Sequence, residues 1–236
     1  MRLDLYVTQH FTIQSRNKAA ELIKNKKVQI NNTIITKPSY KVESKDKIKL
    51  LEDDFYVSRS AYKLRYFLED IDLNLSSLEA LDIGSSTGGF TQILLNNDVK
   101  SVTCVDVGSN QLHPLIKNYP NIIMHENTDI RTFKPNQTFD VVTCDVSFIS
   151  IHHILNDIDR LSSDSIIILY KPQFEVGKEC KRDRNGVVQD QKMIQEVRAL
   201  FIQATQTLNW EMQHHALSKL EGKEGNLEEL FYFSKS

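Results

Sequence analysis

Residues 78–90 read Leu-Glu-Ala-Leu-Asp-Ile-Gly-Ser-Ser-Thr-Gly-Gly-Phe, and this stretch decides the fold. A short apolar strand leads into glycines that permit a sharp turn, and helical periodicity follows. Further apolar runs occupy residues 101–107, 121–124, 139–144 and 165–170, and helical segments occupy residues 59–70, 89–96, 111–118, 151–161 and 189–208. The alternation predicts an α/β fold in which helices cover both faces of a mostly parallel sheet.

The N-terminal region differs from the rest in charge and pattern. Residues 1–50 hold 11 Lys and Arg against 4 Asp and Glu, a net charge of +7, and the remainder holds 18 against 27, a net charge of −9. Short helices are predicted over residues 2–9 and 15–25, and short strands over 28–30, 33–35 and 47–50. A basic module attached to an acidic one indicates a polyanionic partner, with a solvated lysine-rich surface as the alternative.

Ligands of parallel sheets bind where the strands end, so the residues after each strand are the candidates for a binding site. Gly84 permits the sharp turn, and Gly88 and Gly89 would let the backbone approach a ligand. The turn matches neither a phosphate-binding P-loop nor the dinucleotide pattern G-x-G-x-x-G. Asp106 follows 22 residues after Gly84, where its carboxylate can accept from both hydroxyls of a ribose. This combination favours a nucleoside cofactor without phosphate, such as S-adenosylmethionine (SAM), over a purely structural turn.

Three acidic or basic residues follow the later strands. Asp129, after the third strand, could accept from an adenine amino group, although a surface or helix-capping role is an alternative. Asp145 ends the fourth strand and Lys171 ends the fifth. A lysine at the end of a buried strand needs a partner, so we expect an ion pair with Asp145, which could be functional or purely structural.

Three chemistries are open if the partner is RNA and the reaction is methyl transfer. Methylation of a base carbon usually needs a cysteine nucleophile after proline, and neither Cys144 nor Cys180 has that context. Methylation of a base amine uses a motif whose ends alone appear in Asp-Val-Ser-Phe at 145–148. A ribose 2′-hydroxyl must lose its proton, which a lysine can accept where burial and a neighbouring cation lower the lysine pKa.

Five segments carry a resemblance to a known family. They are Ser-Arg-Ser-Ala-Tyr-Lys-Leu at 58–64, Asp-Ile-Gly-Ser-Ser-Thr-Gly-Gly-Phe at 82–90, Asp-Val-Ser-Phe-Ile-Ser at 145–150, Lys-Pro-Gln-Phe-Glu at 171–175 and Gly-Asn-Leu-Glu at 225–228. In this order they resemble the TlyA family of bacterial ribosomal RNA cytidine-2′-O-methyltransferases, which have an FtsJ-like catalytic domain and have long carried hemolysin names. The resemblance implies a Rossmann-type domain that uses SAM and needs no metal, because the sulfonium is already electrophilic.

The resemblance also implies roles for particular residues. A catalytic tetrad falls on Lys63, Asp145, Lys171 and Glu228, of which spacing alone singles out neither Lys63 nor Glu228. Lys171 would be the base for the 2′-hydroxyl and Asp145 would orient it, while Lys63 would supply positive charge and Glu228 would hold the lysines and the ribose. The cofactor site would be formed by Asp82, Gly84, Ser85, Ser86, Thr87, Gly88, Gly89, Phe90, Asp106 and Asp129.

The front module is similar to the RNA-binding domain named after ribosomal small-subunit protein four. The similarity rests on Arg-Leu-Asp at 2–4, Ser-Arg-Asn-Lys-Ala at 15–19 and Lys-Val-Gln-Ile-Asn at 27–31. Lys26 and Asn32 stand where that domain commonly has glycine, so the loop before Val28 is expected to differ in shape. The expected RNA contacts are Arg2, Arg16, Lys18, Lys24, Lys26, Lys27, Arg59, Lys178, Lys181, Arg182 and Arg184.

These features predict an RNA-binding domain at 1–52, a linker at 53–58 and a methyltransferase domain at 59–236. Because the chain lacks the extensions of family members that act on both 16S and 23S RNA, we expect a cytidine of 23S RNA in the large (50S) subunit as target, with no obligate protein partner.

Neither an apolar run of about 20 residues nor an export signal is present, which disfavours a membrane-active hemolysin. Three scattered cysteines suit a reducing cytoplasm, and no cysteine or histidine spacing indicates a metal.

Overall fold

A computed structural model describes residues 1–11, 13, 15–43, 45–51 and 56–235. The chain forms two compact units, Met1–Phe55 and Tyr56–Ser236. Residues 53–55 of the expected linker lie outside the described residues, so the predicted domain boundaries stay a prediction. Tyr56 and Val57, the next two residues, are buried. No helix in the described part of the chain is long and apolar enough to cross a membrane.

The first unit has two helices and a small antiparallel sheet, as the sequence predicts. Its elements are α1 (Leu3–His10), α2 (Arg16–Lys24), β1 (Val28–Ile30), β2 (Thr33–Ile34) and β3 (Ile48–Leu50), and the strand order is β2-β1-β3. The side chain of Ser15 caps α2 by accepting from the amide of Lys18 at 3.2 Å. Lys26 and Asn32 adopt left-handed backbone with φ of 64° and 66°, so both positions keep a conformation that glycine favours.

The second unit contains a seven-stranded sheet. Its strands are β4 (Glu79–Ile83), β5 (Ser101–Val105), β6 (Ile122–His125), β7 (Phe139–Cys144), β8 (Ser162–Tyr170), β9 (Trp210–Leu217) and β10 (Glu229–Lys235). They lie in the order β6-β5-β4-β7-β8-β10-β9, and the five strands predicted from the sequence are parallel. Antiparallel β10 pairs with both β8 and β9. The sequence analysis identified neither β9 nor β10.

Helices cover both faces of this sheet, which confirms the predicted layering. They are α3 (Arg59–Leu68), α4 (Gly89–Asn96), α5 (Pro114–Lys117), a 3₁₀ turn (Ile151–His153), α6 (Leu155–Leu161), α7 (Pro172–Glu175) and α8 (Gln191–Thr207). On one face, α6 and α8 pack on a core that includes Ile158, Phe201 and Trp210. On the other face, α3 and α4 contribute Leu64 and Ile93 to a separate core.

The strand order places the binding crevice. From β4 the chain proceeds outward to β5 and β6 on one side, and then returns to β7 and β8 on the other. The carboxyl ends of β4 and β7 therefore flank the point where the order reverses, which is where open α/β sheets bind ligands. Asp145, directly after β7, donates its amide to the carbonyl of Ile83 at 3.0 Å, so Gly84 and Asp145 leave the sheet side by side.

Candidate active site

Two adjoining cavities open at the carboxyl ends of the parallel strands. The larger has a volume of about 970 Å³ and the smaller about 320 Å³. Five residues line both cavities, namely Gly84, Ser86, Asp145, Ser147 and Phe148. The two cavities therefore meet at the glycine turn after β4 and at the loop after β7.

Gly84 makes this meeting point possible. Its backbone has φ of +75°, a conformation that side chains disfavour. A Cβ atom at this position would lie 2.9 Å from the carbonyl oxygen of Asp145. The turn can therefore pass close to the β7 loop only because residue 84 has no side chain, and the cavity wall is formed by backbone.

Gly88 and Gly89 line neither of the two cavities, and each has a close contact with protein atoms. A Cβ on Gly88 would collide with Leu112 and Ile116, and one on Gly89 would collide with the hydroxyls of Ser58 and Ser60. These glycines let α4 begin in close contact with neighbouring chain segments. Ser85, Ser86, Thr87 and Phe90, in contrast, line the larger cavity.

Asp82 also lies away from both cavities. Its side chain is fully buried and accepts hydrogen bonds from the hydroxyls of Thr91 at 2.6 Å and Thr143 at 2.9 Å. Burial raises the pKa of Asp82 to about 6. The carboxyl joins β4 to α4 and β7, and so supports the cofactor loop from within the core.

Asp106 and Asp129 both line the smaller cavity. The carboxylate of Asp106 accepts from the amide of Ser86 at 2.8 Å and from the amide of Gly108 at 2.7 Å, which fixes it against the glycine turn. Asp129 is engaged by Arg131, whose guanidinium approaches to 2.6 Å. The hydrogen bonds from Arg131 lower the pKa of Asp129.

The four expected tetrad residues come together in the larger cavity. Lys171 Nζ lies 2.6 Å from Asp145 Oδ1, and Lys63 Nζ lies 2.5 Å from Glu228 Oε2. The antiparallel register explains the position of Glu228: Glu229 pairs with Tyr170, so the residues just beyond, Glu228 and Lys171, meet at the same strand ends. Sheet order and register thus bring Asp145, Lys171 and Glu228 together, and helix α3 adds Lys63.

The other three tetrad residues all influence the pKa of Asp145. Burial raises the pKa of Asp145, while the positive charges of Lys171 and then Lys63 oppose that rise and Glu228 adds to it. Each residue of the tetrad thus lies within the electrostatic reach of Asp145. Cys144, next to Asp145, is completely buried, and burial raises the pKa of its thiol to about 12, so it is no nucleophile.

Three residues at this site were not singled out from the sequence, although they lie inside its motifs. Ser147 Oγ accepts a hydrogen bond from Lys171 Nζ at 2.9 Å. Gln173 Nε2 donates to Glu228 Oε1 at 2.8 Å. Phe148 is 92% exposed, has left-handed backbone with φ of 65°, and lies with its ring centroid 5.2 Å from that of Phe174. Their proximity to Asp145 and Lys171 in the sequence was the available signal.

Both units match known families. Residues 56–235 match the FtsJ-like methyltransferase family, and residues 1–48 match the S4 domain. The chain is also 44% identical to the 23S rRNA (cytidine-2′-O)-methyltransferase TlyA of Campylobacter jejuni, with 100% of both chains covered.

This chain is a TlyA-type member of the FtsJ-like methyltransferase family.

Other relatives of this FtsJ-like methyltransferase support the assignment. The 16S/23S rRNA (cytidine-2′-O)-methyltransferase TlyA of Mycobacterium tuberculosis is 34% identical, with 96% of this chain and 87% of the relative covered. A solved structure from Streptococcus thermophilus that carries a hemolysin name is 28% identical, has a TM-score of 0.73, and covers 100% of this chain and 88% of its own. Magnesium protoporphyrin IX methyltransferase of Synechocystis with bound SAM shares the fold alone, at 11% identity over 75% of this chain and 79% of that one, with a TM-score of 0.52.

The FtsJ-like methyltransferase places part of its expected RNA-binding set on a loop at the rim of the larger cavity. Lys178, Lys181 and Arg184 are exposed on this loop. Arg182 instead donates to the carbonyls of Gln173 at 2.9 Å and Gly177 at 3.1 Å, so it holds the loop in place. Arg59 likewise donates to a carbonyl, that of Glu221, at 3.0 Å.

The remaining members of that set lie in the N-terminal unit. Arg2 and Arg16 are about half exposed, and both contact the buried carboxylate of Asp4, at 2.8 and 3.1 Å. Lys18 pairs with Glu21 at 3.3 Å. Lys24 and Lys26 are exposed and Lys27 is half-buried. Among the described residues of both units, no group of three or more acidic, histidine or cysteine residues could hold a metal ion.

Proposed function

We propose that this FtsJ-like methyltransferase transfers a methyl group from SAM to the 2′-hydroxyl of a cytidine in ribosomal RNA, with 23S RNA of the large subunit as substrate. One observation carries the proposal: the amine of Lys171, in the larger cavity and with its side chain only 10% exposed, lies 2.6 Å from Asp145, which lines both cavities. An amine held beside a carboxylate at this point suits proton removal from a sugar hydroxyl. The similarity to TlyA of C. jejuni supports the same reaction and substrate.

The residues present fit SAM. Gly84 lines both cavities without a side chain, so a ligand can approach its backbone closely. The carboxylate of Asp106 suits a ribose diol in the smaller cavity, and Asp129 and Ile130 border the same space. In the larger cavity, Gln173 Oε1 is a buried acceptor with no hydrogen-bond partner among the described residues, and a ligand donor could satisfy it. When bound, SAM supplies a methyl group on a positively charged sulfur.

Each of the four tetrad residues then has its own role toward the RNA. Lys171 Nζ accepts the proton of the 2′-hydroxyl, and Asp145 stabilises the ammonium that forms. Lys63 places a positive charge where negative charge develops on the sugar oxygen. Glu228 holds Lys63, and Gln173 holds Glu228 in turn.

RNA recognition is proposed to use both units. The S4 domain contributes the net positive charge that the acidic second unit lacks, and tethering raises its effective concentration at the substrate. At the cavity mouth, the exposed ring of Phe148 offers a stacking surface for an unstacked base. Methylation of a base amine is less well supported, because the carboxylate of Asp145 is engaged by Lys171.

The experiment uses purified protein, radiolabelled SAM, and 50S and 30S subunits from cells that lack the enzyme. We expect label in 50S subunits, and mass spectrometry of RNA fragments should place the methyl group on the ribose of one cytidine of 23S RNA. A methyl group on a base would overturn the assignment of the reaction. Equal labelling of 30S subunits would overturn the assignment of the substrate.

A further inference from the structure

The amine of Lys171 has two polar neighbours, and only one of them belongs to the expected tetrad. Asp145 Oδ1 lies 2.6 Å away, but at an angle outside hydrogen-bond geometry. Ser147 Oγ accepts from the amine at 2.9 Å with good geometry. In the described part of the chain, the well-aligned hydrogen bond of this amine therefore goes to the serine.

A base must present its lone pair to the proton that it removes. A neutral lysine amine has four tetrahedral directions: the bond to Cε, two N–H bonds and the lone pair. The hydrogen bond to Ser147 fixes the direction of one N–H bond, and the charge of Asp145 at 2.6 Å attracts a second, so the lone pair keeps a single direction. With Asp145 as the only acceptor, the amine could rotate about the Cε–Nζ bond and aim its lone pair elsewhere.

Ser147 can serve as a fixed acceptor because its loop is held at its far end. Glu175 of α7 accepts from the hydroxyl of Ser150 at 2.6 Å and from the amide of Ile151 at 2.9 Å. At the near end, Asp145 is bonded to β4 through its amide. Since α7 begins directly after Lys171, the same contacts tie the serine and the lysine to one another.

We propose that Ser147 is a positioning residue that aims the lone pair of Lys171 at the 2′-hydroxyl of the target nucleotide, an inference that rests on the proposed function. As the sugar oxygen bonds to the methyl carbon, its proton moves to Lys171 Nζ. The bond from carbon to sulfur breaks, and its electron pair stays on sulfur. The resulting ammonium has three N–H bonds, two of which face Asp145 and Ser147, so both residues also stabilise the product of the proton transfer.

The test compares Ser147→Ala with Ser147→Thr, which keeps the hydroxyl, using full-length protein and 50S subunits. Ser76→Ala, which removes an exposed hydroxyl in the loop before β4, is the control. We expect Ser147→Ala to lower kcat about 10- to 100-fold with nearly unchanged KM for SAM and RNA, because only the aim of the base is lost. Ser147→Thr should restore most of the rate, and Ser76→Ala should match the wild type.

The pH dependence gives a second readout that a general loss of structure would not produce. Because Ser147 accepts from the ammonium form of Lys171, its removal should move the acidic limb of the kcat profile of Ser147→Ala to lower pH. Wild-type kcat in Ser147→Ala at every pH, or a Thr variant as slow as the Ala variant, would overturn the inference. Either result leaves the proposed function intact if the wild type still methylates 23S RNA at a ribose.

Discussion

Lys63 Nζ lies 2.5 Å from Glu228 Oε2, although 165 residues separate the two in the chain. Both side chains are more than nine-tenths buried, at 8% and 4% exposure. Lys63 belongs to α3, and Glu228 directly precedes β10, so the pair connects the helix before the sheet to the last strand within it. A buried pair of this kind is costly to break, because the remaining partner keeps an uncompensated charge.

The first prediction concerns this pair. Lys63→Met and Glu228→Gln should each lower the free energy of unfolding by about 3–5 kcal/mol, since each leaves its partner buried and unpaired. The double variant should lose less free energy of unfolding than the two single variants lose together. Urea unfolding of the four proteins measures the coupling energy. Strictly additive losses would show that the two groups do not interact in solution.

The second prediction separates catalysis from binding. Lys171→Ala should lower the rate of methyl transfer about 10²- to 10⁴-fold, the usual contribution of a general base, while its affinity for 50S subunits stays near that of the wild type. Single-turnover methylation and filter binding measure the two quantities. Lys192→Ala, which removes an 86%-exposed lysine of α8, is the matched control. A Lys171→Ala protein with substantial activity would exclude this lysine as the base.

A third prediction uses two glycines with the same backbone conformation. Gly84 and Gly177 both have φ of +75°, but a Cβ on Gly84 would meet the carbonyl of Asp145 whereas one on Gly177 would have nothing within 4 Å. Both alanine variants carry about 1 kcal/mol of left-handed strain. Only Gly84→Ala adds a clash, which would push the cofactor turn away from the loop after β7. Isothermal titration with SAM should show lost affinity in Gly84→Ala and little change in Gly177→Ala. Equal affinity in the two variants would contradict the proposed cofactor position.

The fourth prediction is a dependence of stability on pH. Burial raises the pKa of Asp82 from 3.8 to about 6, so the folded protein binds more protons than the unfolded chain between these values. Because of Asp82, the free energy of unfolding therefore falls by about 3 kcal/mol as pH rises through that window. Asp82→Asn should gain stability relative to the wild type from pH 4 to pH 7. Urea unfolding across this range, with the exposed Asp72→Asn as control, should show the trend in Asp82→Asn alone.

The fifth prediction concerns the S4 domain, where Asp4 holds the guanidiniums of Arg2 and Arg16. These hydrogen bonds keep the pKa of Asp4 well below its usual range. Asp4→Asn makes the protein more positive, yet it should weaken RNA binding about tenfold, because the two guanidiniums lose their common anchor. Glu43→Gln removes an exposed negative charge and should leave binding unchanged or slightly tighter. Tighter binding by Asp4→Asn in a filter assay would refute the anchoring role.

The sequence by itself determined the α/β class, the five parallel strands, the basic front module and the glycine turn with Asp106. These features depend on periodicity, on local charge and on turns that only glycine makes easily, all of which are local properties. It also placed Asp145 and Lys171 at neighbouring strand ends, because parallel strands end at one edge of their sheet. The resemblance to a family added Lys63 and Glu228, which no spacing singled out.

Tertiary structure alone decided which groups meet. The outer strands β9 and β10 escaped prediction because β9 is a largely exposed edge strand without clean alternation, and β10 follows a long connection. The antiparallel register of β10 against β8 is what brings Glu228 to Lys171. Tertiary packing likewise buries the side chain of Asp82 in the core and places Gly88 and Gly89 in close contact with neighbouring segments at the start of α4. Such pairings are set by strand order and register, which connect residues that no local pattern links.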